Sequence, residues 1–323
     1  MRGMARTTRL GVVRALVVPV AVAALAAGLA ACDSSSGSEP DARGTSSASP
    51  DDDDSGSAAP DASGEITTYV AMGDSYTAAP LFPLTDDEQI DNCLRSRKNY
   101  PSLVARELGI KVVDVSCSGA STTSMFAEQK FTSEIRPPQL DALSPETDLV
   151  TLGIGANDSS FFSKMIFDCL AIAESDPAGS PCREQNTNAR GKDKLERELV
   201  AIERNVTRVV RAIGKRAPNA RILFVGYPQL LPDEGSCRAK LPLAEGDYPY
   251  TLELNQQLVE AVRDGGARAG AEYVDLWTAS SGHDICSRQP WVAGVRGDPK
   301  RAMGLHPYPA EQRAVADLIL EMV

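Results

Sequence analysis

From Glu65 onward, stretches rich in β-branched residues alternate with stretches of helical periodicity, and this alternation limits the possible fold more than any other feature of the chain. The strand candidates are residues 66–72, 111–117, 148–155, 220–227 and 271–277. The helix candidates are residues 100–109, the stretch that follows Met165, then 191–217, 251–270 and 309–323. In the longest of these, Leu195, Leu199, Ile202, Val206, Val209, Val210 and Ile213 recur at three- and four-residue intervals. Strands that alternate with helices predict a parallel sheet covered on both faces. The expected architecture over 65–323 is therefore one three-layer α/β/α sandwich without internal repeats. Parallel strands all end on one edge of the sheet, so polar clusters that follow them are brought together. The long loops 77–98 and 228–250 are expected to wall the site beyond those strand ends.

The first 64 residues lie outside this pattern. Residues 1–31 hold four arginines, no acid, and a short apolar run ending in small residues, as a signal peptide does. Cys32 follows Ala30 and Ala31 directly, which resembles the lipobox of bacterial lipoproteins and marks Cys32 as a lipidation site. Residues 32–64 are Ser, Gly, Pro, Asp and Ala with eight acids and one arginine, a composition that reads as a flexible acidic linker. The remaining 259 residues hold 36 acids against 28 bases, a net charge of −8, which disfavours nucleic acid as a partner. A membrane partner is expected only through the N-terminal anchor, and the chain is expected to act as a monomer outside the cytoplasm.

Besides Cys32 there are six cysteines: Cys93, Cys117, Cys169, Cys182, Cys237 and Cys286. An even set in an exported domain predicts three disulfides, with fifteen possible connectivities. No pair has C-x-x-C spacing and the chain has two histidines, so no metal site is expected, and no cofactor.

Four small polar clusters carry the chemistry: Gly73–Tyr76 (GDSY), Cys117–Ser121 (CSGAS), Gly155–Asp158 (GAND) and Gly304–Pro309 (GLHPYP). The first three each follow a predicted strand. Acyl transfer needs a nucleophile, a base and donors for a tetrahedral oxyanion. Ser75 can be the nucleophile, His283 or His306 the base, and the Ser75 and Gly119 N–H groups with the Asn157 amide the oxyanion donors. Each residue also has a structural alternative; Asn157, for instance, suits a helix cap.

Taken in order, these blocks resemble those of the SGNH (GDSL-type) hydrolases, and the resemblance extends over about residues 66–323. It implies Ser75 as nucleophile, Gly119 and Asn157 as oxyanion residues, and His306 as base. The cysteine layout and residues 281–287 (SGHDICS) are similar to the secreted actinobacterial lipase and esterase branch. That branch implies pairing of consecutive cysteines: Cys93–Cys117, Cys169–Cys182 and Cys237–Cys286. One departure stands out. Many members carry an aspartate three residues before the histidine, and this chain has Met303 there. In this branch a backbone carbonyl can hold the imidazole instead.

The resemblance implies a serine esterase or lipase acting on an ester substrate, a lipid acyl ester ahead of acetyl esters of polysaccharides or small molecules. A non-catalytic lipoprotein binding lipid or sugar in the same cleft is the alternative from another class. His283 neighbours Asp284, but adjacent loop side chains diverge, so a structural role is expected for His283.

Overall fold

The computed structural model describes residues 65–80 and 92–323. The leader 1–31, Cys32 and the linker 32–64 lie outside the described residues. Five strands form one parallel sheet: β1 (Tyr69–Gly73), β2 (Val112–Asp114), β3 (Leu149–Gly153), β4 (Arg221–Val225) and β5 (Glu272–Val274). Their order is β2-β1-β3-β4-β5. β1 runs in register with β3 from Tyr69 opposite Leu149 to Gly73 opposite Gly153. Sheet growth reverses direction between these two strands, which makes their carboxyl ends the crevice where open α/β folds place ligands.

The main helices are α1 (Ser75–Ala78), α2 (Tyr100–Glu107), α3 (Lys194–Arg216), α4 (Asp247–Ala267) and α5 (Pro309–Leu320). Local chemistry starts three of them, α2, α3 and α5. The Asn99 side chain accepts the Ser102 N–H at the head of α2, and Asp193 accepts the Leu195 N–H at the head of α3. Pro309 occupies the first turn of α5, where its missing N–H costs nothing.

Side chains alternate along β1 and so feed two cores. Val70 and Met72 pack with the α3 stripe Ile202, Val206 and Val209 and with Val262 of α4. Tyr69 and Ala71 face the other way, toward Tyr100 and Val104 of α2 and Val315 and Ile319 of α5. The result is the three-layer sandwich expected from the sequence. Each fully buried side chain of this size contributes about 1.5–3 kcal/mol.

Three disulfides join Cys93 to Cys117, Cys169 to Cys182 and Cys237 to Cys286, the consecutive pairing. The first fixes the segment that leaves β2 to the segment that precedes α2. No helix among the described residues is long and apolar enough to cross a membrane.

Candidate active site

β1 ends at Gly73, whose N–H and C=O are both bonded by the Gln139 side-chain amide, at 2.8 and 2.9 Å. Asp74 follows in extended conformation and caps α1 by accepting the Tyr76 N–H at 2.9 Å, which makes Ser75 the first residue of that helix. Asp74 is fully buried. Its other oxygen accepts the Tyr227 hydroxyl at 2.6 Å, and that hydroxyl in turn accepts the Ala156 N–H at 3.1 Å. One phenol thus ties the turn after β1 to the turn after β3. Burial pushes the Asp74 carboxyl up to about 7, against the Tyr227 and Tyr76 bonds that lower it.

Gly119 lies two residues after the Cys93–Cys117 bridge, with φ of 76° in the left-handed region that glycine adopts freely. Its loop is held on both sides. Ser118 N–H donates to the Cys93 carbonyl and the Gln129 amide donates to the Ser118 carbonyl. Just downstream, Thr122 gives its N–H and hydroxyl to Asp158 at 2.7 and 2.6 Å, and Asn205 of α3 bonds the same carboxylate at 3.0 Å. Neither the Ser75 nor the Gly119 N–H has a hydrogen-bond partner among the described residues. Asn157 does not cap a helix; its Nδ2 donates one hydrogen to the Ala120 carbonyl at 2.9 Å, leaving the second available.

His306 reaches the same place from the far end of the chain. Its Nδ1 lies 2.8 Å from the Gly304 carbonyl oxygen. A carbonyl only accepts, so Nδ1 carries the proton and Nε2 keeps the basic lone pair. The path that allows this bond is tight. Leu305 sits at φ 59°, a left-handed conformation costly for leucine, and its carbonyl is held by the Tyr76 hydroxyl at 3.0 Å. A Cβ on Gly304 would stand 2.2 Å from the Val295 carbonyl oxygen, so that position admits glycine alone. Burial lowers the His306 pKa from its ordinary value, and the bond to Gly304 opposes the shift.

Ser75, Gly119, Asn157 and His306 all line one cavity of about 270 Å³. Its walls are apolar: Phe162 and Phe167 on one side, Met303 and Leu305 beside the histidine. No hydrogen bond joins Ser75 to His306 among the described residues; such contacts commonly tighten only with substrate present. A larger groove of about 640 Å³ lies along α3 and contains none of these four residues, so chemistry selects the smaller cavity.

The other sequence expectations divide. His283 is elsewhere, stacked on Trp291 with ring centroids 4.5 Å apart and Nδ1 2.8 Å from the Gln289 carbonyl oxygen. Asp284 turns away and accepts the Cys286 N–H. The loop 228–250 contributes no residue to the cavity, contrary to expectation. Leu230, Leu231, Leu241 and Leu243 draw it into the core, and Asn255 of α4 accepts the Leu230 N–H. The segment after Asn157 supplies that wall instead. Of the loop 77–98, residues 81–91 lie outside the described residues. Tyr227, Gln139 and Gln312, which donates to the Tyr76 carbonyl at 2.9 Å, escape sequence reading because each acts across the fold.

A family model described as "GDSL-like Lipase/Acylhydrolase family" matches residues 71–314. Lipase 2 of Streptomyces coelicolor is 40% identical over 275 residues, 82% of this chain and 89% of that protein. A lipase of Streptomyces rimosus is 31% identical over 232 residues, 72% of this chain and 78% of its own. Among solved structures, phospholipase A1 from Streptomyces albidoflavus superposes with a TM-score of 0.65 at 25% identity, covering 80% of this chain and all of that one.

Proposed function

Since this chain belongs to the GDSL-like lipase/acylhydrolase family and is a carboxylic ester hydrolase, we propose that it works through an acyl-enzyme on Ser75. Ser75 Oγ attacks the ester carbonyl while His306 Nε2 takes its proton. The oxyanion so formed receives the Ser75 N–H, the Gly119 N–H and the free Asn157 amide hydrogen. His306 then gives its proton to the leaving alcohol, and water attacks the acyl-enzyme to release the acid and regenerate Ser75. The Gly304 carbonyl holds the ring through both steps, fixing tautomer and orientation but stabilising the imidazolium less than a carboxylate would.

The observation that carries this reading is the meeting of four residues from four separate segments in one cavity. The substrate is a lipid acyl ester: Phe162, Phe167, Met303 and Leu305 offer apolar surface to an acyl chain, and Phe167 stays 48% exposed at the rim where a longer chain would continue. Relatives that carry the names lipase and phospholipase A1 agree with that choice. The three disulfides support a place outside the cytoplasm, where they persist, and Cys32 would tether the domain to the membrane.

A serine-reactive fluorophosphonate should label Ser75, and hydrolysis of p-nitrophenyl esters should rise from acetate to longer acyl chains. Failure of labelling on folded protein would favour a non-catalytic binder. An optimum at acetate would favour an acetyl esterase.

A further inference from the structure

The groove along α3 is chemically unlike the rest of this acidic chain. Arg204, Arg208, Arg211 and Lys215 recur along one face of the helix, all exposed, and none forms an ion pair among the described residues. The groove holds one acid, Glu203, and Arg268 at the end of α4 already lies 2.5 Å from it. Its apolar wall is also open to solvent: Val200 is 65% exposed and Phe126 is 41% exposed, with Arg208 stacked over the Phe126 ring at 4.8 Å. Four uncompensated cations on a chain of net charge −11 are a local feature, which no general basic character explains.

We propose that this groove seats the domain on the anionic headgroups of a phospholipid membrane. Clustered Arg and Lys supply attraction to an anionic lipid surface, and exposed Phe and Val among them supply the apolar contact that enters the headgroup region. A soluble polyanion would be recognised by the cations alone and would leave Phe126 and Val200 unused. The groove is also coupled to the cavity. Phe126 ends the short turn Thr122–Met125 that follows the Gly119 loop, and Thr122 is bound to Asp158, which Asn205 of α3 holds. Seating on α3 therefore bears on the segment that carries a proposed oxyanion donor. The proposal goes beyond ester hydrolysis and does not need Ser75 to be the nucleophile.

The test uses the exported full chain carrying Cys32→Ser, so that no lipid chain contributes, and Ser75→Ala, so that vesicles stay intact. Partition is measured into phosphatidylglycerol and phosphatidylcholine vesicles. Preference for the anionic vesicles is expected, with release as salt rises. Arg204→Gln/Arg211→Gln/Lys215→Gln, all exposed and all to a good helix former, should weaken partition about a hundredfold at low salt. Phe126→Ala should weaken it several-fold. With Ser75 restored, the triple variant should hydrolyse soluble p-nitrophenyl butyrate at the unsubstituted rate, which reports that it folds and keeps failure here distinct from failure of the esterase reading. Equal binding to both vesicles, salt-insensitive binding, or a triple variant that binds like its parent would overturn the proposal. So would polyphosphate binding that competes fully with vesicles and ignores Phe126→Ala, which would make the groove a polymer site.

Discussion

Tyr227→Phe tests whether the buried Asp74–Tyr227–Ala156 connection sustains the site. The substitution keeps the ring and its edge contact with Tyr76, whose centroid lies 5.5 Å away. It removes a 2.6 Å bond to Asp74 and leaves the Ala156 N–H, otherwise 3.1 Å from the phenol, buried without that acceptor. An unpaired buried donor costs about 1–3 kcal/mol, and a bond to an ionised carboxylate contributes about 1.5–3 kcal/mol against about 0.5–1.5 for a neutral one. The Asp74 carboxyl is raised to about 7 by burial, well above its unfolded value of 3.8, so the folded state holds its proton more tightly and the carboxyl lowers stability as pH rises through that window. Tyr227 is one of the bonds that lowers this pKa, so the Phe variant must stay protonated to still higher pH. The deficit should therefore be about 2–3 kcal/mol at pH 6 and grow by about 1–2 kcal/mol at pH 8.5, where the parent has ionised Asp74. Guanidinium unfolding at the two pH values, with disulfides intact, measures this. A deficit below about 1 kcal/mol, or one equal at both pH values, would refute the reasoning.

Ser75→Ala and His306→Ala should each cost about a thousandfold or more in kcat, whereas His283→Ala should act mainly on stability; a larger kinetic loss in folded His283→Ala would reassign the base. Because burial lowers the His306 pKa, the acid limb of kcat/KM should lie below the ordinary imidazole value of 6.5, read from a pH–rate profile. Met303→Asp should raise that limb with little gain in rate, since Nδ1 already has the Gly304 carbonyl. Cys93→Ser/Cys117→Ser should cost about 2–4 kcal/mol in thermal or denaturant unfolding and lower kcat by loosening the Gly119 loop. Cys32→Ala should move the protein from the membrane fraction to the medium with activity intact, as fractionation would show.

The sandwich was legible because each strand and helix signals itself locally: β1 through a β-branched apolar run, α3 through apolar residues at three and four. The four polar blocks were legible because three of them follow strands and parallel topology collects strand ends. The supports of the site were not. Tyr227 and Asp74 are 153 residues apart, and Gln312 and Tyr76 are 236 apart. A tyrosine after a strand or a glutamine in a helix gives no local sign of such a partner. The loop 228–250 misled for a related reason. Its prolines suggest a wall beyond the strand ends, but Leu230, Leu231, Leu241 and Leu243 anchor it in the core away from the cavity, and its middle, 233–236, stays exposed. Phe162 and Phe167, apolar residues that carry no catalytic signature of their own, take the wall it was expected to form.

The acceptor beside His306 is the main chain at Gly304, and this changes how the site can be lost or altered over generations. A side-chain partner can be deleted by one codon change, and it can be exchanged for another acid. A peptide carbonyl is present whatever residue occupies the position, so no change of charge at 303–305 removes it. What the site inherits is a route through space: a glycine pressed against Val295, a leucine held left-handed, and a tyrosine hydroxyl pinning the carbonyl after it. Selection on this segment should therefore read shape and tolerate polarity, so that Gly304→Ala is ruinous where Met303 accepts diverse neighbours.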